Sequence, residues 1–208
     1  MNFDQICTKT TLFTIFMTLC SFSLHPTPKL FIFIGPSGVG KTTLTEELQK
    51  SGIPLEQVIT TTTRAPRSNE QPGKSYFFLS TEEFDLRKAN HEFLAATVIY
   101  QNSYGISKSY IQEKLASNQN LACALTADGA QELKQSLGHQ VVTIFVMPPS
   151  PQELEKRLQH RNTKDLQIRL QNAALEMEQQ DAFDYKIVND DLAQSTQELI
   201  KIFSQETK

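Results

Sequence analysis

Residues 35–42 (Gly35, Pro36, Ser37, Gly38, Val39, Gly40, Lys41 and Thr42) match the pattern G-x-x-x-x-G-K-[ST] in full. The glycines let the backbone wrap an anion so that successive N–H groups point inward, and a helix starting there adds its positive end. In such a loop the lysine reaches the β and γ phosphates of a nucleoside triphosphate, and the next hydroxyl ligates the Mg²⁺ bridging them. Lys41 and Thr42 hold those places, and Thr43 continues the donor site into the helix. The loop fixes a nucleoside triphosphate, ATP, with Mg²⁺ as cofactor and is silent on what receives the phosphoryl group.

A second set of groups suits a second phosphate. Arg64 and Arg67 lie three apart behind a run of threonines at 60–63, and their forked donors match a phosphate dianion, which lysine meets only as a point charge. A solvated basic turn has the same pattern. Arg157 and Arg161 are i, i+4 neighbours on a helix starting at Pro151, so they share a face, and Arg169 follows. Exposed helix charges are commonly just solvated, so position alone leaves their role open.

The elements that must carry these groups alternate. Residues 30–34 are apolar throughout, as in a central strand covered on both faces. Similar runs at 121–125, 141–147 and 185–188 complete a core sheet, and the alternation with helices predicts an α/β fold with a mostly parallel sheet. Ser80 with Glu83, and Ser150 with Glu153, fit the capping box, with Pro151 at a first helical position. Apolar spacing predicts further helices at 40–50, 107–116, 129–137, 165–180 and 191–203. Segment 58–79 interrupts the alternation and reads as a small β insert able to close over the end of the first strand.

With 208 residues, 39% hydrophobic and 21% charged, the chain makes one domain with a core of its own, and a disordered chain is excluded. A net charge of −3 lacks the basic excess of nucleic-acid binders, so no nucleic-acid partner is expected. Cys7, Cys20 and Cys123 have no metal-binding or disulfide spacing and read as incidental thiols. Residues 1–29 form an apolar extension whose 11–24 stretch is too short to span a bilayer. Asp4 and a loose small-x-small match at 21–23 argue against a secretory signal. The expectation is a cytoplasmic chain with an appended tail and no stable membrane insertion; a misassigned start, with Met17 the true one, reads the same way. Oligomeric state has no sequence signature here.

The motifs at 60–67 and 70–78, then Asn102–Gly105, Asp128–Gln131, Pro148–Ser150, Leu154–Arg161 and Ile187–Asp191, resemble those of the guanylate kinase family, in order, across about 30–203. The resemblance implies a P-loop domain over 30–208, with an acceptor-binding insert at 58–107 and a helical lid at 157–170. It also implies ATP-dependent transfer to GMP or dGMP, giving ADP and GDP or dGDP. Tyr76 and Tyr104 would join Arg64 and Arg67 on the acceptor phosphate, and Thr60 would touch the base. Lys41, Arg64, Arg157 and Arg169 would be the catalytic cations, and Asn189 would lie near the adenine. The lid between Arg161 and Arg169 is shorter than usual and lacks a glycine after the second arginine.

The chain departs from the family where the base is read. Ala95 and Thr126 stand where two guanine-binding acids are expected, Ala124 replaces a further Asp, and Ile106 replaces a Ser or Thr. Asp128 is the neighbouring carboxylate able to substitute. These losses keep two other readings in view: a kinase with a different phosphorylated acceptor, such as a sugar phosphate, and a non-catalytic guanylate-kinase-like binding module.

Overall fold

The computed structural model describes residues 27–68, 70–99, 101–160 and 165–208. The apolar segment 11–24, Cys7, Cys20, Met17 and Arg161 lie outside the described residues.

Strand β1 (Leu30–Ile34) is buried at every position and forms the middle of a five-stranded parallel sheet. Its neighbours are β7 (Asn120–Ala124) and β8 (Val141–Met147), with β2 (Leu55–Gln57) and β9 (Tyr185–Val188) at the edges. The pleat divides the core. Leu30, Ile32, Ile34, Leu121, Cys123 and Phe145 pack on one face with Ile111 and Leu133. Phe31, Phe33, Ala122, Ile144 and Val146 pack on the other with Leu44 and Phe203. The first face is covered by α3 (Lys108–Ala116) and α4 (Ala127–Leu137), the second by α1 (Lys41–Lys50) and α7 (Leu192–Glu206). Burial holds the Cys123 thiol up at about 12, so it behaves as a small apolar side chain.

The second sheet, in order β4-β3-β6-β5, is built from β3 (Thr61–Thr62), β4 (Phe77–Phe78), β5 (Phe93–Ile99) and β6 (Asn102–Ser107). The β insert expected at 58–79 therefore supplies only two short strands, and the longer pair follows α2 (Thr81–Ala89). Edge strand β2 escapes sequence reading because only Leu55 of its three residues is buried. Helix α4 starts two residues before the expected 129, since the Thr126 hydroxyl caps it by accepting from the Gly129 N–H at 3.3 Å.

Both capping boxes close on one side only. Ser80 and Ser150 accept from the N–H groups of Glu83 and Glu153. The glutamate carboxylates instead bond Arg87 at 2.6 Å and Arg157 at 3.2 Å, cations one turn further along. Helices α5 (Pro151–His160) and α6 (Leu166–Glu178) share a separate small core of Leu154, Leu158 and Ala173.

Candidate active site

The 35–42 loop links the C-terminal end of β1 to α1. Gly35 has φ +128, and a Cβ there would fall onto the Val146 carbonyl oxygen of the adjacent strand, so only glycine fits. Gly40, the N-cap of α1, has φ +102 and lies against the Asn189 side chain. Asn189, expected beside the adenine, uses its amide on the loop: it is buried, and Nδ2 donates to the Val39 carbonyl at 2.8 Å. Its observed contact is therefore that of a brace.

Lys41 Nζ donates to the carbonyls of Gly35 at 2.5 Å and Pro36 at 3.0 Å, holding the ammonium inside the loop. Glu176 of α6 lies within electrostatic reach: burial raises its carboxyl pKa, and Lys41 partly opposes that rise. Thr42 is exposed at the start of α1. Among the described residues no group of three His, Cys, Asp or Glu side chains could hold a metal ion. One hydroxyl beside a phosphate cradle suits Mg²⁺, which keeps most of its waters and binds phosphate oxygens. A cavity of about 440 Å³ opens beside the loop, bordered by Gly40, Thr43, Arg157, His160 and Asn189.

In the loop after β3, Arg64 Nη2 meets the two oxygens of Glu70 at 2.7 and 3.0 Å. The pair is well covered, with the side chains 17% and 12% exposed. Glu70 raises the already high Arg64 pKa, burial opposes it, and Tyr104 adds to it. The Arg67 N–H also donates to Glu70, at 2.8 Å, so one carboxylate organises both arginines. The Arg64 guanidinium lies 5.3 Å from the Tyr76 ring centre, and the Tyr76 and Tyr104 rings meet edge-on at 6.3 Å. Arg64, Tyr76 and Tyr104 thus come together; Arg67 joins through its backbone, with its side chain exposed.

Arg157 of α5 and Arg169 of α6 turn toward the 35–42 loop. Arg157 Nη1 donates to the Asn189 carbonyl at 3.0 Å, and Arg169 Nη1 donates to the Ser37 hydroxyl at 2.9 Å. On the acceptor side a cavity of about 150 Å³ is bordered by Thr60, Ala95, Tyr104, Ile106, Thr126 and the start of α4.

A family model described as Guanylate kinase matches residues 27–206. The chain belongs to the guanylate kinase family. A protein named guanylate kinase from Wolbachia sp. subsp. Brugia malayi (strain TRS) is 36% identical over 180 residues, 85% of this chain and 92% of the relative. Another of that name, from Koribacter versatilis (strain Ellin345), is 39% identical over 176 residues, 82% of this chain and 75% of the relative. The crystal structure of guanylate kinase from Anaplasma phagocytophilum shares the fold with a TM-score of 0.71 at 27% identity, covering 88% of this chain and 87% of that one.

For this guanylate kinase family member, the departures foreseen at the base have definite surroundings. Ala95 and Ile106 are buried, 7% and 1% exposed, and give the cavity an apolar wall. Thr126 is occupied as the α4 cap, and Ala124, ending β7, is exposed. Sequence reasoning missed Glu70, although an acid three residues after the second of two spaced arginines is a usable signal. Glu176 had no such signal, because its closeness to Lys41 arises only when α6 folds back.

Proposed function

We propose that the protein is a guanylate kinase, transferring the γ-phosphoryl group of ATP to GMP or dGMP with release of ADP and GDP or dGDP. The observation carrying this reading is that Tyr104 borders the base-sized cavity and also belongs to the arginine–tyrosine cluster, so one ligand can present its base and phosphate together. In this reading residues 30–208 form the kinase domain, with 58–107 holding the acceptor and 157–170 acting as lid. Loop residues 35–43 hold ATP, and Thr42 would ligate Mg²⁺, which would supply charge neutralisation at the phosphates.

The chain's own residues then work by position and charge. Phosphoryl transfer spreads negative charge over the equatorial oxygens, and fixed cations stabilise that charge without reorganising. Lys41 acts from the donor loop, Arg64 from the acceptor arm, and Arg157 and Arg169 from the lid. Arg67, Tyr76 and Tyr104 hold the acceptor phosphate, and Thr60 touches the base. Asn189 keeps the loop in shape.

The test is ADP release in a coupled assay with GMP, dGMP, AMP, UMP and CMP. Preference for GMP and dGMP is expected, and absence of turnover on every nucleotide refutes the reading. The absence of a carboxylate at Ala95 and Thr126, with Arg64 and Arg67 retained, supports one second reading, a kinase for another phosphorylated acceptor such as a sugar phosphate. Greater turnover on such a compound than on GMP would establish it. Tight Mg·ATP binding, expected from the complete loop, would exclude the non-catalytic module.

A further inference from the structure

The geometry points to Asp128 and Glu132 as the acidic groups that read the acceptor base, taking from helix α4 the part left open at Ala95 and Thr126. This inference rests on the reading that the cavity beside Tyr104 receives the base of a nucleoside monophosphate.

The cavity, about 150 Å³, is of a size that holds one aromatic ring. Its remaining walls are apolar or carry hydroxyls, and no lysine or arginine borders it. Asp128 and Glu132 supply all of its formal charge. They stand four apart on α4, on one face of the helix, and α4 packs against β5, which brings Ala95 to the same cavity. Thr126 adds no negative charge, and its oxygen already accepts from the Gly129 N–H. Asp128 lies in the first turn of α4 and Glu132 one turn further along. Among the described residues neither carboxylate has a hydrogen-bond or ion-pair partner, whereas the nearby Glu70 is committed to Arg64.

Carboxylates accept only, so they select an edge rich in donors. Guanine presents N1–H beside N2–H₂, two adjacent donors that one carboxylate can meet with both oxygens. Adenine and cytosine place a ring-nitrogen lone pair beside their amino group, and uracil places its single N–H between two carbonyls. Each sets lone pairs against the carboxylates and leaves them incompletely paired. A site built to bond a donor rejects the analogue lacking it. Two carboxylates of like charge one turn apart sharpen this demand, since a bound donor edge relieves their repulsion.

The experiment compares GMP with IMP, which lacks the 2-amino group, by calorimetric titration of the wild-type protein, Asp128→Asn, Glu132→Gln and the double variant. Mg·ATP titration and thermal melting serve as controls for the donor site and the fold. Wild-type protein is expected to bind GMP at least tenfold more tightly than IMP. Each single variant loses about tenfold in GMP affinity, as for a charge-assisted hydrogen bond, and the double variant loses the preference, with ATP affinity and melting unchanged. A double variant that keeps the wild-type GMP-to-IMP ratio, or a wild type without that preference, overturns the inference. A protein that shows the expected binding pattern yet fails to phosphorylate GMP supports the inference and counts against the kinase reading alone.

Discussion

Arg169 donates to the Ser37 hydroxyl at 2.9 Å across 132 positions of sequence, tying α6 to the middle of the phosphate loop. Ser37 is exposed on the loop, and on the proposed reading the guanidinium beside it would reach the γ-phosphate. A cation so placed is worth most where charge develops. Arg169→Ala is expected to lower kcat by at least about 100-fold with a much smaller change in ATP affinity, and Arg169→Lys should recover only part of the loss. Steady-state kinetics with ATP varied at saturating GMP check this; kcat within threefold of wild type removes Arg169 from the catalytic set.

Glu70 holds Arg64 by its side chain and Arg67 by its N–H, so on the proposed reading it would act on the acceptor phosphate through them. Glu70→Gln keeps the size but weakens a charged fork to a neutral contact, leaving Arg64 less well oriented. The KM for GMP is expected to rise about tenfold with little change in kcat, since ground-state capture is what suffers. Arg64 first, then the Arg67 N–H, holds the Glu70 carboxyl below its ordinary 4.5. A carboxyl lowered on folding contributes stability that is present above that value and lost as pH falls through the folded pKa. The KM of wild type should therefore stay flat through neutral pH and climb only on the acid side, and the Gln variant should lack that acid limb. An unchanged KM in Glu70→Gln would show that Arg64 needs no such guide.

The donor and acceptor halves should fail separately. Lys41→Ala removes the ammonium held against the Gly35 and Pro36 carbonyls and is expected to abolish turnover while weakening ATP binding. Arg64→Ala, two residues past β3 of the other sheet, should raise the GMP KM by at least tenfold with ATP affinity within twofold of wild type. Calorimetry with Mg·ATP and with GMP separates the two. Equal loss of ATP affinity in both variants would contradict the division of the site.

How far the sequence foretold these relationships follows from what each depends on. Strand β1, the loop after it and the helix caps depend on neighbours in the chain, so apolar runs, glycines and Ser or Thr caps announce them. The clamp was legible as residues: Arg64, Tyr76 and Tyr104 do meet. Its arrangement was not, because the Glu70 contact orients Arg64 along an ion pair that spacing alone does not specify. Asn189 illustrates the same limit. The resemblance places it near the adenine, and its amide also donates to the Val39 carbonyl, 150 positions away, a contact that no spacing announces. Asp128 was legible as a neighbouring carboxylate able to substitute, whereas Glu132 carried no signal until packing of α4 on β5 put both on one cavity.

Glu176 gives a prediction whose sign depends on which of two effects wins. Burial disfavours its charge and outweighs the attraction of Lys41, so its carboxyl lies above the ordinary 4.5. An acid whose pKa rises on folding binds its proton more tightly in the native state, so stability falls as pH climbs from the unfolded value to the folded one. Above that window the protein bears the full cost of a half-buried carboxylate. Glu176→Gln removes the cost while keeping the shape, and should raise the melting temperature at pH 7, with the gain over wild type shrinking toward pH 4. Were Lys41 the stronger influence, the order would reverse, and Glu176→Gln would melt lower than wild type at pH 7. Thermal melts of the two proteins across that range decide between burial and ion pairing at this position.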